Sequence, residues 1–256
     1  MMCHKRMLIP GLVLMGLLLP ARGVAQMPSL ESPTGVNASF IKLFGNHKTF
    51  ASMVDVQVFD ASGKEWVSLE LEMKALDEKV RLDIDLERIK SRDLPEFAVA
   101  SLKQAGLGRV ISLILPEKKA TYVIYPAAEA ILDLPLAQKD AEALAAGYQV
   151  EKTELGQEAV ESEPCVKNKV VVSNKGAVAL EATTWEAASL KGFPIKIETK
   201  EKSRTMVMRF RQVQFARPEA ALFELPKGYT RYKDPQAMMV GLMKKIASGA
   251  AGDSEK

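Results

Sequence analysis

The sequence predicts a mainly β fold with α: one large antiparallel sheet of about ten strands, accompanied by a few short helices. Three observations predict it. Three successive segments between Val54 and Leu86 alternate strictly between apolar and polar residues. Short turn-like runs such as Asp60-Ala61-Ser62-Gly63-Lys64 and Asn174-Lys175-Gly176 separate the extended pieces. No Gly/Pro/Ser-rich linker divides the chain, so the strands belong to one sheet rather than to two domains.

The N-terminus reads as a secretory signal over residues 1–25. His4, Lys5 and Arg6 form a basic start, and Met7 to Pro20 is a run of 14 uncharged residues. Gly23 and Ala25 are the small residues of a cleavage site after Ala25, with cleavage after Gly23 as the second choice. The run is short for a spanning helix, which needs about 20 apolar residues, and it contains Pro10 and Gly11. The expected destination is the periplasm. Cys3 lies before the apolar run, so no lipid attachment is expected there.

Residues 26–48 form a lead-in with a short helix around Phe40–Phe44. The strand domain is expected over residues 49–233. Val54, Val56 and Val58 alternate with Asp55 and Gln57. Val67, Leu69, Leu71 and Met73 alternate with Ser68, Glu70 and Glu72. Val80, Leu82, Ile84 and Leu86 alternate with Arg81, Asp83, Asp85 and Glu87. Period two places one set on each face, so this meander has an apolar face and a charged one. A helix follows over 93–106, with Asp93 as its cap, Pro95 in its first turn and Gly106 at its end. Phe97, Val99 and Leu102 supply its apolar side. Strands return at Arg109–Leu115, Ala120–Tyr125 and Ala127–Leu136, and a second short helix is expected at Asp140–Ala146. The later strands are read at Tyr148–Leu155, Cys165–Ser173, Ala177–Trp185, Pro194–Lys200 and Thr205–Phe215. Residues 234–256 carry a Met-rich amphipathic helix, Pro235–Ile246, and a loose tail.

Charge narrows the partners. Lys and Arg number 35 against 32 Asp and Glu. Removing Lys5, Arg6 and Arg22 with the signal leaves 32 of each. A neutral mature chain has no electrostatic footprint for nucleic acid, nor an overall attraction to an anionic membrane.

The chemistry-bearing residues are few. His47 is the one histidine and Cys165 the one cysteine beyond the signal. That excludes an intramolecular disulfide and argues against a catalytic triad or a zinc site. No catalytic residue, metal or cofactor is assigned, and the chain is not read as an enzyme. Gly106-Leu107-Gly108 follows a helix and is read as helix punctuation, not half of a nucleotide fingerprint. Cys165 is read as a small buried hydrophobe. Asp83, Asp85 and Glu87, with Glu70 and Glu72 beside them, are an enzyme's one foothold; charged residues are also what a solvated sheet face carries. Trp185 and Phe193 are expected to pack.

So many one-sided strands outnumber the helices available to cover them. The sheet therefore either closes on itself or curves and leaves an apolar cavity. A cavity of that kind suits a lipid-like ligand. Its candidate lining is Val56, Leu69, Leu71, Leu82, Ile84, Leu113 and Met208. Met238, Met239, Leu242 and Met243 are the candidate contacts to a protein partner.

From Gly156 onward the chain carries a recognisable pattern: Glu163-Pro164-Cys165-Val166-Lys167, Thr184-Trp185-Glu186-Ala187, Leu190-Lys191-Gly192-Phe193-Pro194, and Phe223-Glu224-Leu225-Pro226-Lys227-Gly228-Tyr229. This resembles an uncharacterised family of bacterial exported domains, itself similar to the outer-membrane lipoprotein carrier (LolA-like) superfamily. The resemblance covers most of residues 50–230. It implies a curved antiparallel half-barrel with helices over its concave face, where the carriers hold acyl chains. The function expected on this footing is a periplasmic binding or carrier module for a lipid or lipidated partner. The alternative is an envelope interaction or structural module with no small ligand.

Overall fold

The computed structural model describes residues 39–136, 147–201 and 203–252, with side chains described as far as Lys245. The described strands are β1 (Thr49–Phe59), β2 (Glu65–Leu76), β3 (Lys79–Asp85), β4 (Lys90–Ser91), β5 (Arg109–Leu115), β6 (Ala120–Tyr125), β7 (Ala130–Pro135), β8 (Gln149–Val160), β9 (Glu163–Asn174), β10 (Ala177–Ala187), β11 (Phe193–Glu201), β12 (Arg204–Gln214) and β13 (Thr230–Tyr232). Two helices are described, α1 (Glu96–Gln104) and α2 (Pro235–Gly252).

All thirteen strands join one open sheet in the order β13-β7-β6-β5-β3-β2-β1-β12-β11-β10-β9-β8, with β4 paired to β2. Ten or so were expected; the additions are the two-residue β4 and the three-residue β13, too short to show a period. The sheet is also mixed rather than purely antiparallel, because β13 runs parallel to β7. The helix expected at Asp140–Ala146 lies outside the described residues.

Alternation becomes geometry in the central strands. Along β1, Phe50, Ser52, Val54 and Val56 are buried while the residues between them are half-buried. Register then sets like beside like: Val54 faces Leu71, Val56 faces Leu69 and Met208, and Leu71 faces Ile84. The result is a continuous apolar inner face backed by a charged outer face.

Turn chemistry fixes the hairpins. Lys175 and Gly176 both have positive φ, 48° and 80°, the pattern of a two-residue hairpin turn. Glu161 and Ser162 repeat that pattern, at 49° and 72°, without a glycine to announce it. This is why β8 runs on to Val160, five residues past the end expected at Leu155. A register shift between Glu154 and Gly156 carries the strand through that point.

The helix after β4 begins later than expected. Its cap is Pro95, with no side-chain cap bond. Asp93 instead accepts a hydrogen bond from the indole Nε1–H of Trp66 at 2.5 Å. Phe97 does not supply an apolar side inward; it is exposed, while Val99 and Leu102 are half-buried.

The chain after β12 makes a second apolar layer on the outer side of β5–β7. Leu76, Ile111, Leu113, Leu115, Tyr122, Ile124 and Ile131 form a buried cluster closed by Phe223, with Leu222, Leu225 and Tyr229 around it. The closing segment is a 3-10 turn, Ala220–Phe223. The Phe-x-x-Pro-x-Gly-Tyr ending is thus a strap: Phe223 plugs, Gly228 turns at φ +83°, and the Tyr229 hydroxyl reaches the Pro126 carbonyl at 3.4 Å. Beyond the strap the chain adds β13 beside β7 and ends in α2. Asp234 caps α2 by accepting the Ala237 amide at 2.7 Å.

Candidate functional site

Six of the seven candidate lining residues meet on the inner face. Val56, Leu71, Leu82, Ile84 and Met208 are buried in the main core cluster, and Leu69 packs against it half-buried. Leu113 does not join them. Its neighbour in register is Arg81, so it points to the outer face and lies under the strap. The signal was present in the sequence. Arg109–Leu115 and Ala120–Tyr125 are nearly unbroken apolar runs, which mark strands covered on both faces.

The inner face is capped at its two ends by elements from the two ends of the described chain. The 3-10 turn Phe40–Phe44 packs against β9, β10 and β11. It builds an aromatic knot: Phe44 lies 4.9 Å from Phe50, 5.6 Å from Phe193 and 5.4 Å from Phe210, centroid to centroid. Each spacing suits tilted or edge-on ring pairs. His47 closes the knot, stacked on Phe215 at 5.3 Å with Nε2 3.2 Å from the Lys191 carbonyl oxygen. Phe193 packs here as expected. The sequence does not show this knot as a unit, since its rings come from four separate segments.

At the other end, α2 packs on β7 and β13. It does not present its methionines together. Met238 and Leu242 are 4% and 6% exposed and belong to the inner core, while Met239 and Met243 are 42% and 64% exposed. Met238 and Leu242 are therefore cover for the inner face rather than contacts to a partner. Residues four apart share a helix face, and the pair 238/242 is offset from the pair 239/243 by one residue, or about 100°. Close seating on Tyr232 depends on Gly241, where an added Cβ would come within 2.8 Å of the ring.

The outer carboxylates are held in ion pairs. Asp83 takes two hydrogen bonds from Arg81, at 2.7 and 2.8 Å. Arg211 grips Asp55 at 2.5 and 2.7 Å and Glu70 at 2.8 Å, and these two carboxylates raise its pKa above the ordinary arginine value. Asp85 accepts the Glu87 amide at 3.0 Å as a turn cap. A cleft of about 400 Å³ opens on this face among Asp55, Gln57, Glu70, Lys90, Glu161 and Arg209. Of its three carboxylates, Asp55 and Glu70 are held by Arg211. Among the described residues, no group of three or more His, Cys, Asp or Glu is placed to hold a metal ion.

Cys165 and Trp185 sit together on the outer side of β9 and β10 with Val160 and Ala187. Burial raises the Cys165 thiol pKa. Trp185 is roofed by lysine, with Lys196 Nζ 3.8 Å and Lys167 Nζ 5.0 Å from its ring centroid.

A family model described as a domain of unknown function (DUF4412) matches residues 168–229, from mid-β9 to the end of the strap. No curated protein matches the chain by sequence. The solved structures it resembles include LolA superfamily proteins. One, from Nitrosomonas europaea, is 11% identical with a TM-score of 0.37, over 73% of this chain and 94% of that one. The lipoprotein LppX of Mycobacterium tuberculosis is 10% identical with a TM-score of 0.35, over 64% of this chain and 85% of that one. The MucA/MucB complex of Pseudomonas aeruginosa is 16% identical with a TM-score of 0.32, over 75% of this chain and 62% of that one. No residue is carried from these structures to this chain. Among the described residues, no helix is long and apolar enough to cross a membrane.

Proposed function

We propose that the protein is a non-catalytic, exported module that carries a lipid or the acyl chain of a lipidated partner in the cell envelope, on its inner face. One observation carries this reading. The apolar strip Met208–Val56–Leu69 and Leu71–Ile84 crosses the central strands without a charged side chain. Its described covers, the Phe40–Phe44 turn, α1 through Leu102, and α2, are non-sheet segments. A flexible hydrocarbon chain asks for such a strip and for few directional contacts. Because these side chains are buried, loading displaces a cover rather than filling an open groove. On the outer face Asp55, Glu70 and Asp83 are tied to arginine, which supports a non-catalytic reading.

The test is native mass spectrometry, with organic extraction, on the protein recovered from the envelope of its own host. A stoichiometric adduct in the lipid mass range supports the reading and gives the ligand class. A clean apo mass, persisting after incubation with envelope lipids, overturns it and favours the interaction module, whose foothold is Met239 and Met243.

A further inference from the structure

We propose that the outward face of α2 docks the protein on an anionic phospholipid bilayer. Met239, Val240 and Met243 are 42%, 53% and 64% exposed, and the spacing of three and four residues sets them side by side. Lys244 continues that face one turn beyond Val240, and Lys233 precedes the helix cap; both are exposed. From Pro235 to Gly252 the sequence contains no Asp or Glu.

Among the described residues, the acidic side chains near these lysines are engaged elsewhere. Asp133 holds Arg231 at 2.5 Å, Glu129 holds Lys245 at 3.3 Å, and Asp234 caps the helix. Lys233 and Lys244 have no ion pair among the described residues. An apolar stripe flanked by uncompensated lysines is the pattern of a helix lying in a membrane interface. Lysines near such a surface are drawn to anionic headgroups. The neutrality of the whole mature chain conceals this, since the attraction is local.

Seating on the body makes the face ready-made. Met238 and Leu242 anchor the opposite side of the helix in the inner core. Docking therefore needs no folding of the helix at the moment of binding.

The experiment is vesicle co-sedimentation of the mature protein, residues 26–256. It compares phosphatidylcholine vesicles containing phosphatidylglycerol with vesicles of phosphatidylcholine alone. Wild type should partition to the anionic vesicles and be released by added salt. K233E/K244E should lose more than about tenfold in partitioning, since lysines near the surface are drawn to anionic headgroups. M239S/M243S should lose binding to a similar extent while keeping the wild-type thermal transition, because both side chains are exposed. Equal binding to both vesicle types, or wild-type binding by either variant, overturns the proposal. So does wild-type indifference to both vesicles together with self-association that M239S/M243S abolishes, which would assign the face to a second copy. A bound lipid is read separately by mass, so failure here and failure of the carrier reading are told apart.

Discussion

Arg81 donates through Nη1 to the carbonyl oxygen of Leu222 at 2.9 Å, joining residues 141 positions apart. The same guanidinium holds both oxygens of Asp83. Arg81 stands at the border of the outer face, between the charged strands β1–β3 and the apolar strands β5–β7. It pins the strap where its apolar cover begins. Replacing Arg81 with Met should cost about 1–3 kcal/mol, since it strands a nearly buried carboxylate and an unbonded carbonyl. Lys74 and Arg109, at 3.9 and 3.7 Å from Asp83, moderate the loss. A lowered urea midpoint with an unchanged m-value is the expected result.

Phe223 is the plug of that strap and is 2% exposed. Truncation to Ala should cost about 3–5 kcal/mol, the usual range for a buried aromatic ring. Because Arg81 and Phe223 secure one segment, the double variant R81M/F223A should lose less than the two single losses added together. Additive losses, measured by chemical denaturation, would show that the strap is not one unit.

Asp83→Asn and Asp85→Asn separate the carrier reading from an acid–base enzyme. Asp83 is the partner of Arg81, so its amide should lower stability by about 1–3 kcal/mol. Asp85 caps an exposed turn and should cost less than about 1 kcal/mol. Neither should alter the amount of extractable lipid per protein, because both face away from the inner strip.

The strands from Val54 to Leu86 were legible because water on one side and core on the other impose period two. Leu113 was misplaced for the complementary reason. With the strap on the outer side, Ile111 to Leu115 carry no record of which residue faces which layer. The β8–β9 turn was hidden because Glu161 and Ser162 adopt positive φ without glycine. Asp93 had the right chemistry for a cap, yet the Trp66 indole, 27 residues earlier, takes its carboxylate. The α2 stripe was legible as amphipathic, but not its division into a seated pair and an exposed pair. That division follows from where Tyr232 and β7 place the helix. In each case local pattern gave the element, and a distant segment decided its face.

The Cys165 thiol is shielded in the folded state. Burial raises its pKa, and its Sγ–H donates to the Glu163 carbonyl at 3.3 Å. Little thiolate exists near neutral pH, and the thiolate is the reactive form. Folded protein should react with a disulfide reagent only slowly, and urea should release reaction at the rate of the unfolded chain. Rapid stoichiometric labelling without denaturant would show an open site.

Asp60 sets a pH limit on the β1–β2 hairpin. Its Oδ1 accepts the Ser62 hydroxyl at 2.6 Å and the amides of Ser62 and Lys64 at 3.0 and 3.1 Å, while Arg92 donates to Oδ2 at 2.6 Å. The Ser62 and Arg92 bonds hold its pKa well below the ordinary 3.8. Above that ordinary value the carboxylate is charged in both folded and unfolded chains, so the turn keeps its full contribution. As pH falls below it, the unfolded chain takes up the proton first, and stability drains toward the unfolded state. Asp60→Asn keeps an acceptor for the turn but cannot titrate. Between about pH 5 and about pH 3, stability should therefore fall more steeply for wild type than for the variant. Parallel losses in urea titrations across that interval would remove Asp60 as the cause.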